Sequence, residues 1–276
     1  MGAIVKAAVS VALAVVTLAR VDAPPPNAPI PRDPPRLARA LADTATALRA
    51  AIDGWRTSGN LNADGPPREV TLDALYEQRI VLLLSHDRRL ARRTIPLLPA
   101  KLARAIHDNV TAKRELDRIT PVSPRRKLRT GPALPAGVLL RYYGQAQRRF
   151  GVAWQVLAAI NFVETAFNRL RNASAAGAQG PMQFMPSTWR RYGMRGNIHD
   201  PHDAIMAAAN YLHASGAPRD YRRALRSYNP SSLYVDAVLR YARHIERDQR
   251  DYLGYYSWQV FVRTRHGQVR LTGPGR

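Results

Sequence analysis

No cysteine occurs anywhere in the 276 residues. That absence excludes disulfides, thiolate nucleophiles and Cys-based zinc sites, and it excludes a lipid carried on an N-terminal Cys. Acidic residues are also scarce: 20 Asp and Glu face 42 Lys and Arg, a formal net charge of +22. Few carboxylates means few candidates for acid-base chemistry. The cationic surplus favours polyanionic partners: nucleic acid, anionic lipid, or the acidic polymers of a cell wall. Most of it is Arg beside abundant Ala, so a compositional bias of the genome is the competing explanation. Long apolar runs are missing too, because a membrane span needs roughly 20 such residues. What is present is an ordinary apolar fraction of 46%, enough for one well-formed core and a smaller second domain.

The N-terminus reads as an export signal. Lys6 precedes an apolar run from Ala7 to Ala19, and Val21-Asp22-Ala23 follows as a cleavage site. This is the order of n-region, h-region and small-residue site, placing a signal peptide at 1–23, with an uncleaved anchor as the alternative. Prolines crowd residues 24–35. Fixed φ angles and missing donors make that stretch an extended linker. Export turns the basic charge away from nucleic acid and leaves membrane contact to the signal segment alone.

A helical module is expected over 36–120. Leu37, Leu41, Leu48, Ile52 and Trp55 recur on one helical face, and Thr71 is the expected N-cap of a second helix carrying Leu72, Leu75, Tyr76, Ile80 and Leu83. A third carries Leu102, Ile106, Val110 and Leu116. No acid-base cluster falls in this module, so its reading is structural. A basic, proline-bounded linker spans 121–135, and a helical domain follows over 136–250. In the tail, 251–276, Trp258 to Arg263 alternates and Val269 to Leu271 returns after His266-Gly267, which predicts a β-hairpin. Its reading is an edge ribbon; Arg263, Arg265 and Arg270 raise wall binding as the alternative.

Glu164 is the sole carboxylate between Asp117 and Asp200, at the end of an apolar helix. Such a residue is either an exposed helix end or a desolvated acid whose pKa is raised by burial, fit to act as general acid near neutral pH. Downstream stand Gly180-Pro181-Met182-Gln183, the longer string to Trp189, and Ser227-Tyr228-Asn229. By default Met182 is a gap-filler and Tyr228 a core aromatic.

Taken together, Glu164-Thr165, Gly180 to Gln183, Ser227 to Asn229 and Asp200 to Leu212 resemble the lytic transglycosylases with a goose-type lysozyme core, over roughly 139–242. The resemblance implies a mainly α, lysozyme-like (α+β) fold and cleavage of the bond between N-acetylmuramic acid and N-acetylglucosamine in peptidoglycan. It implies that Glu164 is the acid and then the base and that Tyr228 orients it. Thr165, Met182, Gln183 and Asn229 would contact the glycan. Glycosidases ordinarily use two carboxyl groups; here the family's chemistry replaces the second with the substrate's acetamido group and closes a 1,6-anhydro ring. A muramidase that admits water, or a noncatalytic wall-binding protein, are the alternatives.

No cofactor and no metal are expected. His199, Asp200, His202 and Asp203 lie close in sequence, but Asp200 followed by Pro201 reads as a helix cap. The expected partners are peptidoglycan strands, with anionic cell-wall polymers beside them.

Overall fold

The computed structural model describes residues 22–63, 65–120, 128–265 and 267–275. The apolar run of the signal segment and the first half of the 121–135 linker lie outside the described residues. Within them the chain is mainly α, with a single two-stranded hairpin.

The N-terminal helices are α1 (Pro34–Thr57), α2 (Arg68–His86), α3 (Arg88–Thr94) and α4 (Ala100–Ile119). α1 starts where Asp33 accepts a hydrogen bond from the Arg36 amide at 3.1 Å, with proline in its first turn. Its predicted face, Leu37 through Trp55, is buried. α2 departs from expectation: it begins directly after Pro67, and Thr71 lies inside its first turn, its hydroxyl donating to the Pro67 carbonyl at 3.2 Å. The Pro67 carbonyl opens the helix by accepting from the Thr71 amide at 3.0 Å, and no side-chain cap is used. The helix ends at Asp87, whose carboxylate caps α3 by accepting from Leu90 N at 2.8 Å.

The proline-rich segment is docked on the helices and does not hang free as a spacer. Prolines bring carbonyls without donors, and α2 supplies the donors: Tyr76 Oη donates to Pro29 O at 3.0 Å and Arg79 donates to Ala28 O at 2.8 Å.

The second set comprises α5 (Ala136–Phe150), α6 (Trp154–Thr165), α7 (Pro186–Tyr192), α8 (Pro201–Ala214), α9 (Tyr221–Tyr228), α10 (Ser232–Arg247) and α11 (Arg250–Ser257). α6 is mostly apolar and is packed by α5, α8, α10 and α11, as a largely apolar helix must be. The core does not stop at the linker. α4 lies along α10, and α11 touches α1 and α2 as well as α6. α11 ties the parts together through three buried tyrosines: Tyr252 donates to Ala136 O, Tyr255 to Asn109 Oδ1 and Tyr256 to Leu134 O, at 2.7–3.0 Å. Sequence periodicity missed this short helix because its buried residues, Tyr252 to Ser257, run consecutively and form no helical stripe.

Between these helices sits a chamber of about 50 Å³ lined by Arg49, Glu77, Asn109, His244 and Asp251 among others. Desolvation pushes the Glu77 carboxyl up to about 7, helped by the nearby charge of Asp251. Asp251 rises to about 6 for the same first reason.

The hairpin pairs β1 (Phe261–Thr264) with β2 (Gly267–Arg270), antiparallel, Phe261 opposite Arg270. Its arginines serve the fold: Arg263 donates to Thr120 O at 2.7 Å and Arg270 to Asn27 Oδ1 at 3.2 Å.

Candidate active site

Glu164 closes α6 in its last turn. The chain then turns sharply: Ala166, Phe167 and Asn168 all adopt positive φ, at 49°, 62° and 66°. Such conformations are costly for residues with a side chain, and a run of them persists only where the surroundings fix it. Thr165 is the clamp. It is 2% exposed, donates to Pro181 O at 2.7 Å and accepts from the Asn168 amide at 2.9 Å. Asn161, equally buried, donates to the same Pro181 carbonyl at 3.0 Å and accepts from Tyr143 Oη at 2.7 Å. Phe167 is anchored among Phe162, Tyr252 and Tyr256.

The expected substrate contact from Thr165 is therefore corrected. Its hydroxyl is spent inside the protein, joining the Glu164 turn to the Gly180-Pro181 turn.

Glu164 keeps a partly exposed edge, yet protein surrounds it closely enough that desolvation pushes its carboxyl up to about 7. A hydrogen bond from Tyr234 Oη to Glu164 Oε1, 2.6 Å long, opposes that rise by stabilising the ionised form. Tyr234 is 2% exposed in the first turn of α10. Its own hydroxyl is held well above the ordinary phenol range by burial and by the charge of Glu164. It therefore stays a donor. No acidic side chain figures among the groups that shift Glu164.

Tyr228 was expected to hold Glu164. The structure gives its hydroxyl another partner: Tyr228 Oη donates to the Met182 carbonyl at 2.6 Å. It remains an electrostatic neighbour of Glu164, which helps raise its pKa after burial has done most of the work. Tyr228 sits at the end of α9 and Tyr234 on the next helix, so only the α9–α10 turn decides which phenol reaches the carboxylate. Sequence reasoning missed Tyr234 because, with Val235, Val238 and Tyr241, it reads as the core face of α10. That Tyr234 donates to Glu164 is visible only in three dimensions.

Met182 is fully buried, so its side chain packs the core and its backbone carbonyl does the positioning. Gln183 adopts φ 49°, and its amide donates to Gly180 O at 3.0 Å and weakly to Asn172 O at 3.4 Å. The turn needs glycine at 180: φ is 75°, and a methyl group there would lie 1.9 Å from the Ile198 carbonyl oxygen. Asn229 is half-buried and accepts from the Ser231 amide at 3.1 Å, ordering the entry to α10.

Asp200, His202 and Asp203 bring ligand-capable atoms within 4.8 Å of one another. Each already serves the loop. Asp200 caps α8 by accepting from Asp203 N at 3.0 Å, as the Asp200-Pro201 pair predicts. Asp203 accepts from the Asn197 amide at 2.9 Å, which lowers its pKa, and the His202 ring meets Tyr142 edge-on.

Residues 141–250 match the family described as the transglycosylase SLT domain. Over these residues the chain is similar to that family. Glu164, the Gly180 turn, Tyr228 and Tyr234 all fall within this stretch. The chain is also similar to the membrane-bound lytic murein transglycosylase F of Thiobacillus denitrificans, 31% identical over 157 residues, 53% of this chain and 32% of that protein. The chain thus spans about a third of the length of that relative. No solved structure matches. Among the described residues no helix is long and apolar enough to cross a membrane.

Proposed function

We propose that this chain cleaves the glycan of peptidoglycan as a lytic transglycosylase, with Glu164 as general acid and then general base. The observation that carries the proposal is a carboxyl raised to about 7, held by one phenol and with no acid among the groups that shift it. A group with that pKa is about half protonated at neutral pH, which suits proton donation and recovery in one cycle.

Glu164 gives its proton to the glycosidic oxygen as the bond from that oxygen to C1 of the muramyl sugar breaks. The cation at C1 needs an anion or a neighbouring nucleophile, and the substrate's acetamido oxygen fills the place of the missing carboxylate. Glu164, now ionised and hydrogen-bonded by Tyr234, takes the proton from the C6 hydroxyl as O6 bonds to C1. The products are a 1,6-anhydro end and a free hydroxyl on the leaving sugar, and the enzyme returns to its starting protonation state. Tyr234 is the positioning residue: its bond fixes the carboxylate rotamer. Tyr228 acts at one remove, through the Met182 carbonyl and the turn that carries Gln183. Gln183 and Asn229, each partly exposed, are the side chains from this group proposed to meet the sugar.

The site of action is proposed to be outside the cytoplasm, where the substrate lies. Residues 1–23 would supply export, and the net charge of +22 favours retention on an anionic wall.

Digestion of purified peptidoglycan followed by mass spectrometry tests the reading. Anhydro-muramyl ends from the wild type and none from Glu164→Gln are expected. Reducing ends would assign the chain as a muramidase, and unchanged release by Glu164→Gln would remove this residue from the mechanism.

A further inference from the structure

Beside the Glu164 turn lies a recess of about 550 Å³, lined among others by Arg129, Thr130, Asn168, Arg171, Gly180 and His199. Its size suits a small ligand or a side branch of a larger one. Among the described residues no carboxylate lines it. Arg129, Arg171 and His199 are all exposed to solvent.

Arg129 and Arg171 belong to a built wall. The end of the basic linker pairs with the segment that follows Glu164: Thr130 bridges Leu170, Gly131 N donates to Arg169 O at 3.0 Å, and Arg171 N donates to Arg129 O at 3.0 Å. The Arg129 amide donates to Asn172 Oδ1 at 2.7 Å. The Arg171 guanidinium lies over Gly131 and donates to Pro132 O at 3.0 Å and, more weakly, to Asn168 O at 3.5 Å. A methyl group at position 131 would sit 2.4 Å from the Arg171 Cζ, so glycine is what lets the guanidinium occupy that place. A guanidinium held in this way offers its remaining donors in a set direction.

The recess is also joined to the catalytic turn. Asn168 N donates to Thr165 Oγ1, and Asn172 O accepts from Gln183. We propose that this recess is a subsite for the free carboxylates of the peptide stems that branch from the muramyl sugars. The proposal rests on the function given above. The glycan strand itself offers no anion once its lactyl groups carry peptide, so an acid-free cationic recess beside the cutting residue fits the branch and not the backbone. The described end of the basic linker, residues 128–135, then has a role in substrate selection.

Equilibrium binding to the Glu164→Gln protein tests this without turnover, with two probes: soluble glycan fragments carrying stem peptides, and the same fragments stripped by an amidase and then amidated at the lactyl carboxylates this exposes. Peptide-bearing fragments are expected to bind about tenfold more tightly, the scale of one or two charge-assisted hydrogen bonds. That ratio should fall towards one in Arg171→Gln, in Arg129→Gln and in Gly131→Ala, which keeps the arginine but displaces it. Equal affinity for the two probes overturns the proposal. So does competition by a phosphate-bearing wall polymer with none by free stem peptide, which would assign the recess to that polymer. Peptide-dependent binding by a wild-type protein that makes no anhydro ends would instead refute the proposed reaction and leave the subsite standing.

Discussion

The hydroxyl of Tyr234 donates to Glu164 Oε1 across 2.6 Å, while Tyr228, the tyrosine of the motif, turns its hydroxyl to the Met182 carbonyl. One phenol thus sets the acid and the other sets the turn beside it. The two are separable by experiment. Tyr234→Phe removes a bond that favours the ionised carboxylate, so the Glu164 pKa should rise and the alkaline limb of the pH–rate profile should move to higher pH. The rate at its optimum should drop by roughly tenfold to a hundredfold, the scale of a hydrogen bond to a charged group. Tyr228→Phe should lower activity without moving that limb.

In the wild type the acid must be protonated to begin the reaction. Activity should therefore decline as pH rises through about 7, where Glu164 loses its proton. A profile of kcat/KM on soluble glycan fragments reads this value in the free enzyme. A flat profile between pH 6 and 8 would exclude Glu164 as the general acid.

Thr165→Val keeps the shape but leaves the Asn168 amide without its acceptor and removes one donor to Pro181 O. A loss of about 1–3 kcal/mol in stability is expected for groups so deeply buried. Thr165→Ser should restore most of it. Denaturant unfolding measures both, and a Val variant as stable as the wild type would contradict the clamp.

Gly180→Ala places a methyl group against the Ile198 carbonyl oxygen at 1.9 Å, in a backbone region that disfavours side chains. The turn must shift. Loss of several kcal/mol is expected from strain and overpacking together, seen as a lowered Tm and as activity lost out of proportion to it.

Glu77, in the chamber between the N-terminal helices and α11, gives a pH signature of its own. Its folded pKa of about 7 lies above the ordinary carboxylate value of 4.5, so the folded state holds a proton that the unfolded chain releases. Its contribution is fully present below about 4.5 and is lost as pH rises through about 7. His244 and Asp248 act in the opposite sense, since both are lowered and favour the fold at higher pH. The comparison that isolates Glu77 is with Glu77→Gln. The variant should match the wild type near pH 4 and be the more stable protein at pH 8, by on the order of 1–3 kcal/mol. Parallel curves at all pH values would show that Glu77 does not titrate in this range.

Much of this protein is legible along the chain. The spacing of Leu37, Leu41, Leu48, Ile52 and Trp55 determines the buried face of α1. Alternation determines the C-terminal hairpin, and Asp200-Pro201 determines the start of α8. The isolation of Glu164 in a stretch free of other acids is a property of the sequence, and so is the glycine at 180. These features are local, set by periodicity, by backbone chemistry or by composition. What only the tertiary structure decided is partnership. Thr165 faces inward because the Pro181 carbonyl lies there to receive it. Tyr234 outranks Tyr228 at the carboxylate because α10 crosses α6, and α11 joins the core because its tyrosines find carbonyls at Ala136 and Leu134 and an amide at Asn109. Hydrogen-bond partners distant in sequence are chosen by how helices pack, and no local pattern encodes that choice.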